Sequence, residues 1–281
     1  MDPIYLNDEH RMLRDQARRF VRDEVLPNGD KWEADEEVPR EMFTRMGDLG
    51  FFGVRYPEKY GGSDMDTLMP DIVAGKKVTA IAVTEPDGGS DVAALKTRAT
   101  RKGNDKWVLN GAKMFITNGV LADVYFVAAR TDPDAKSSRG VSMFIVEKGT
   151  PGFKVAKKLD KMGWRCSDTA ELVFEDCEIP AENLLGEEGR GFYQIMRNFQ
   201  NERLVAGAVA LGECAKAIEI TTQYVKDRKA FGGVLWDKQL VRTKLALMAT
   251  KLEAGRSLVY HTAHLDAQGV DCVKEVSMVK V

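Results

Sequence analysis

The sequence predicts an α+β protein in which an N-terminal helical domain, a central antiparallel β-barrel or sandwich domain and a C-terminal helical bundle follow one another. Three observations carry this reading. Apolar residues recur at three- and four-residue steps at both ends of the chain, and β-branched runs fill its middle. No helical stretch separates those runs, as a βαβ sheet would require. The boundaries fall at residues 1–77, 78–190 and 191–281.

In the first block, Asn7 or Asp8 can cap a helix carrying Met12, Leu13, Ala17, Phe20, Val21 and Val25, which Pro27 stops. A second helix runs from about Pro39 through Met42, Phe43, Met46 and Leu49, with Gly50 as its C′ residue. After Gly61-Gly62 the pattern is short and broken, ending at Met69-Pro70. Two helices and a stub cannot bury their own apolar faces, so this block must dock on something else.

The second block opens on Val78-Thr79-Ala80-Ile81-Ala82-Val83-Thr84, which reads as a buried strand. Further strands are expected at 97–101, 106–109, 113–117, 124–130, 142–147 and 170–174, with Gly103-Asn104-Asp105 and Asn110-Gly111 as hairpin punctuation. No G-x-G-x-x-G follows a strand, which argues against a Rossmann nucleotide site. In the third block a stripe from Phe192 through Met196, Leu204, Leu211 and Ile218 predicts one helix to about Arg228. Phe231-Gly232-Gly233 breaks it, Asp237 caps a second helix running to Gly269, and a last helix has barely started at Val281.

Composition bounds the function classes. With 41 Lys+Arg against 43 Asp+Glu, the formal charge of −2 lacks the footprint of a nucleic-acid binder. No apolar run spans a bilayer, and no secretory signal opens the chain. The reading is a soluble intracellular protein, cytoplasmic, or of the mitochondrial matrix if a transit peptide was removed. Cys166, Cys177, Cys214 and Cys272 are too dispersed for a disulfide framework or zinc site, and none has a recognisable His partner. His261 and His264 stand at i,i+3 without a third ligand, so no metal site is expected.

Chemistry is best sought in short segments. Gly88-Gly89-Ser90, after the first strand, can turn backbone N–H groups toward a ligand, or form a plain turn. Phe115-Ile116-Thr117 offers an apolar face and a hydroxyl, or simply a strand end. Glu202 heads an apolar helical stretch, where partial withdrawal from water would make a carboxylate a stronger base. A first-turn Glu favoured by the helix dipole is the bland alternative. Arg203 lies about 100° around the helix and should not simply neutralise it.

Taken in order, Val83-Thr84-Glu85-Pro86 with Gly89-Ser90-Asp91, Asn110-Gly111-Ala112-Lys113 with Ile116-Thr117-Asn118-Gly119, Ser167-Asp168-Thr169, Glu202-Arg203 and Arg228-Lys229-Ala230-Phe231-Gly232 resemble the acyl-CoA dehydrogenase family of flavoproteins. The resemblance covers nearly the whole chain. It implies a three-part fold and FAD, with Ile81, Val83, Thr84, Gly89 and Ser90 lining one side of the flavin. Phe115, Ile116 and Thr117 would pack against the ring, while Arg228, Phe231 and Gln239 would reach the FAD of a neighbouring subunit in a homotetramer. By the same resemblance Ser90, Gln200, Asn201 and Arg203 would fall on the acyl-CoA side.

The implied reaction is α,β-dehydrogenation of an acyl-CoA thioester to the trans-2-enoyl-CoA in fatty acid β-oxidation, with electrons passed to electron-transfer flavoprotein. Glu202 matches the base position of the isovaleryl and long-chain branch. A non-catalytic flavin- or acyl-CoA-binding remnant, or a flavin oxidase of the same fold, is the alternative. Asp87 and Gly88 depart from the family loop, and helices expected after Leu68 and beyond Val281 do not follow.

Overall fold

The computed structural model describes residues 5–53, 65–135 and 137–281, so Gly61-Gly62 lies outside the described residues. The chain forms two compact units, one of residues 18–194 and one of 5–17 with 195–281.

The helical elements of the N-terminal block begin with α1 (Asp8–Phe20). Asn7 Oδ1 accepts the His10 N–H at 2.9 Å while His10 Nδ1 accepts the Asn7 N–H at 3.2 Å, a reciprocal cap. One π-type turn, Val21–Val25, leads to Pro27. The short α2 (Gly29–Asp35), hidden from the periodicity by its length, precedes α3 (Arg40–Asp48), after which Gly50 takes φ +76° as a C′ glycine should. The stub is a real helix, α4 (Met65–Val73), which contains Pro70. Leu68 is buried there with Val124 and Ile145, so α4 docks on the sheet.

The β elements of this unit are β1 (Thr79–Ala82), β2 (Arg98–Lys102), β3 (Lys106–Thr117), β4 (Val124–Arg130), β5 (Val141–Glu147), β6 (Phe153–Lys158) and β7 (Thr169–Pro180). They form one sheet in the order β1-β4-β2-β3-β7-β6, with β5 paired to β4. Most neighbours are antiparallel, but β1 and β2 both pair with β4 in parallel, which alternation alone could not predict. The core is aromatic: Trp107 meets Phe144 edge-on at 5.3 Å, and Phe153 stacks on Phe174 at 5.1 Å. Tyr125 donates to the Gly119 or Ala122 carbonyl, each at 3.0 Å, and burial pushes its phenol up to about 12.

Asn110-Gly111 is not a hairpin turn. β3 runs straight through it, and the partners on β7 slip by one residue between Leu109↔Cys177 and Gly111↔Phe174. The extra residue belongs to β7, where Asp176 takes φ +48° and exchanges hydrogen bonds with the Asn110 amide. Gly111 is needed because a Cβ there would lie 2.7 Å from Thr97 Cα. Between Lys113↔Leu172 and Ile116↔Ala170 a second offset puts the extra residue on β3, restoring the original register.

The other unit contains α5 (Gly191–Asp227) from Ile195 onward, the hairpin β8 (Lys229–Ala230) and β9 (Gly233–Val234), α6 (Gln239–Ala267) and α7 (Val273–Lys280). Asp237 does not cap α6. Its carboxylate accepts the Val234 N–H at 2.9 Å and closes the turn before Lys238, the residue at the N-cap. Val259 and Val276 are buried, and Gly207 lets Val279 approach α5 closely. His261 and His264 flank Tyr5 rather than standing in solvent alone, with ring centroids 6.3 and 4.9 Å away.

Candidate functional site

In the β unit, the predicted cofactor residues converge on the segment after β1 and the end of β3. The Thr84 carbonyl accepts the Met114 N–H at 2.9 Å, joining the two segments side by side. Lys113, on β3, is fully buried; its ammonium donates to the Val83 carbonyl at 3.1 Å and to Glu85 Oε1 at 2.8 Å. Glu85 Oε1 also accepts the Thr97 N–H at 2.9 Å, and Oε2 accepts the Lys96 N–H at 2.6 Å. Burial pushes the Lys113 ammonium down to about 8 against the pull of Glu85. Burial pushes Glu85 up, but the Lys113 charge and the N–H donors outweigh it and hold the carboxylate below its ordinary range.

Gly89 and Ser90 are exposed in the loop that leaves Glu85 and returns at Lys96. A Cβ on Gly89 would sit 3.2 Å from Thr84 Cγ2, so glycine keeps this approach open. Asp87, the departure from the family loop, is tied to Lys96 at 2.7 Å. Phe115 takes φ +58° and is 62% exposed, an uncommon backbone state for an aromatic residue. This is the second β3 offset seen from the side chains: Phe115 turns outward while Lys113 and Ile116 turn inward.

That geometry amends the expected cofactor contacts. The side chains of Val83 and Ile116 are buried in the unit's interior and can meet a ligand only through their backbone. Ile81 and Thr84 are half-buried, whereas Phe115, Thr117, Gly89 and Ser90 are exposed. An exposed aromatic ring, a glycine approach and hydroxyl groups on one unit fit a flat, polar-edged ligand such as the flavin of FAD.

In the helical unit, Glu202 lies eleven residues after Gly191 in α5, about three turns in, so the first-turn dipole explanation does not apply. It is exposed on its own helix, and Asn198, one turn earlier, donates to its Oε1 at 2.6 Å. Sequence reasoning missed Asn198; the i,i+4 spacing of amide and carboxylate was the available signal. Gln200, Asn201 and Arg203 are half-buried beside it on α5. No ion pair joins Glu202 to Arg203 among the described residues.

Arg228, Phe231 and Gln239 gather around the β8–β9 hairpin and the start of α6, all exposed. Phe231 takes φ +53° at the hairpin tip, is 89% exposed, and has Lys238 Nζ 5.9 Å from its ring centroid. Burial works against thiolate formation at three of the cysteines, raising Cys177 to about 11 and also raising Cys166 and Cys272. Among the described residues no His, Cys, Asp and Glu cluster could hold a metal.

Comparison with known proteins gives a consistent result. Family profiles for the acyl-CoA dehydrogenase N-terminal, middle and C-terminal domains match residues 7–94, 80–177 and 189–281. An acyl-CoA dehydrogenase of Bacillus subtilis is 38% identical, covering 99% of this chain and 84% of that protein. The long-chain specific acyl-CoA dehydrogenase of Rattus norvegicus mitochondria is 37% identical, covering 95% and 74%. A solved acyl-CoA dehydrogenase from Geobacillus kaustophilus superposes with a TM-score of 0.94 at 38% identity, covering 99% and 84%. The Bacillus alignment extends over 320 residues against 281 here, so at least 39 of its positions have no residue of this chain.

Proposed function

The chain belongs to the acyl-CoA dehydrogenase family, oxidoreductases of the CH–CH group that depend on FAD, and from that premise we propose that Glu202 is its catalytic base. The reaction proposed is α,β-dehydrogenation of an acyl-CoA thioester to the trans-2-enoyl-CoA, with electron-transfer flavoprotein as acceptor. FAD, when bound, supplies a hydride acceptor at the flavin N5. Glu202 takes the α-proton from the position that resembles the base of the isovaleryl and long-chain branch.

The observation that carries the assignment is the Asn198–Glu202 hydrogen bond, which fixes Oε1 and leaves Oε2 for the proton. Gln200, Asn201, Arg203 and Ser90 bind and orient the thioester. Thr84, Gly89, Ser90, Phe115 and Thr117 hold the cofactor with side chains or glycine approach, and Ile81, Val83 and Ile116 support them. Arg228, Phe231 and Gln239 reach the FAD of a neighbouring subunit in a homotetramer; their common exposure supports that role. No helix among the described residues is long and apolar enough to cross a membrane.

Anaerobic titration of the FAD-loaded protein with a panel of straight and branched acyl-CoAs tests the proposal. Bleaching of the oxidised flavin band by at least one of them is expected, and its loss in Glu202→Gln assigns the base. The interior gap of the alignment favours one rival, a remnant that binds flavin or acyl-CoA without turnover. A protein that holds FAD and bleaches with no acyl-CoA would establish that rival.

A further inference from the structure

The fully buried Lys113 and the nearly buried Glu85 have no part in the chemistry above, yet they stand between every piece of the proposed flavin cradle. We infer that the Lys113–Glu85 pair is the positioning device of that cradle, fixing its three segments against one another without touching the ligand. The inference rests on the cofactor reading just given.

The connections are specific. Through Val83, Lys113 reaches the segment after β1, and it lies two residues before Phe115 on β3. Glu85 then closes the neck of the glycine loop, because the chain leaves at Pro86 and returns to the same carboxylate at Lys96 and Thr97. Arg130 completes the clamp from β4, donating to the carbonyls of Leu95, at 3.2 Å, and Ala93. The carboxylate thus takes N–H groups of the loop's return and the guanidinium takes its carbonyls. With no exposed surface, Lys113 meets no ligand lying on the cradle.

Stability alone is a poor explanation of the pair. Replacing a buried ion pair by apolar groups of similar volume is often neutral or stabilising, whereas removing one partner strands a buried charge. What an apolar pair cannot do is direct Val83, Lys96 and Thr97 by their backbone polar groups. Orientation of the cradle is therefore the property that depends on the charges.

Full-length Lys113→Met and Lys113→Met/Glu85→Gln separate the two roles. For each, FAD dissociation is read by flavin fluorescence, the visible flavin spectrum is recorded, and the melting temperature of the apoprotein is measured. The single variant should melt lower and bind FAD at least ~10-fold more weakly, the equal of about 1.4 kcal/mol. The double variant should recover melting temperature while keeping the weakened FAD binding and a shifted flavin spectrum. Recovery of FAD affinity in step with melting temperature would overturn the inference and leave a purely structural pair. If neither Lys113→Met form folds, Glu85→Gln, which keeps the size and one acceptor oxygen, is read alone: weaker FAD binding and a shifted flavin spectrum with an apoprotein melting temperature near wild type support the inference, and wild-type affinity and spectrum overturn it. Wild-type protein that takes up no FAD would overturn the cofactor reading and this inference together; wild-type uptake with variants that match it overturns the inference alone.

Discussion

In the β unit, Trp107, Tyr125, Phe144 and Phe174 expose no more than 2% of their surface, whereas on α5 and α6 Val205, Ile220, Tyr224, Leu240 and Leu247 expose more than half. Both regions are rich in apolar residues, so the difference lies in geometry. Strands alternate their side chains, and a curved sheet with docked helices encloses one face by itself. Helices as long as α5 and α6 present apolar groups around much of their circumference and need neighbours to cover them. The proposed flavin cradle is therefore set within the β unit itself, down to a buried ammonium. The helical unit displays the proposed base on α5, whose surroundings decide how dry it is.

The largest expected effect lies on the displayed side. Glu202→Gln should lower the anaerobic rate of flavin reduction by roughly 10²–10⁴-fold, the usual share of a general base, while FAD and acyl-CoA still bind. Full-rate reduction would place the base elsewhere. Next, Trp107→Ala should cost about 3–5 kcal/mol in urea unfolding, and Leu247→Ala less than about 0.5 kcal/mol. A loss at Leu247 approaching that at Trp107 would break the comparison and show that its face is covered in solution. Asn198→Ala should slow flavin reduction by about tenfold, since a hydrogen bond to a charged group is worth about 1.5 kcal/mol; an unchanged rate in stopped-flow would mean that Glu202 is oriented by something else.

The smallest effect concerns acid. Glu33 accepts the backbone N–H groups of Arg165 and Cys166, which hold its carboxyl below the ordinary 4.5. A depressed folded value means this contribution is present above the unfolded value and lost as pH falls through the folded one. Glu33→Gln should thus flatten the acid limb of melting temperature against pH below about 4.5 and leave the neutral plateau's shape unchanged. An acid limb as steep as wild type would remove Glu33 from the account.

The long helices were legible because their stripes are long, and β4 and β5 because Val, Phe and Ile crowd them. β6 was not, since Phe153-Lys154-Val155-Ala156-Lys157-Lys158 lies at a sheet edge and reads as polar. The single strand β3 was cut in two because Asn110-Gly111 has turn chemistry, while the bulge that uses it depends on a partner more than sixty residues away. Glu202 and the cradle residues were found by resemblance of ordered motifs; their chemistry alone left plainer readings open. Glu85 and Lys113 figured only as motif letters, because a charge in a strand reads as solvated until its neighbours across the sheet are known. Even so, Lys113 shares the odd-numbered parity of the buried Trp107 and Leu109, and that was the overlooked signal, whereas Glu85 lies out of step with the buried Ala80 and Ala82 and gave none.

The two offsets between β3 and β7 have a consequence for how this strand can tolerate change. They are of opposite sign, so the register before the first equals the register after the second, and only the stretch between them is displaced. Deleting one codon within that stretch would cancel one offset and leave the other in place. The remaining offset would absorb the missing residue, so Ile116 would keep its partner Ala170 and its inward face. Losing Ala112, for example, would step Lys113 out of the interior and remove the extra residue that gives Phe115 its left-handed turn. The second offset therefore turns Phe115 outward while leaving the pairing on either side intact, and Gly111 and Lys113 between the offsets are each held to their own residue type.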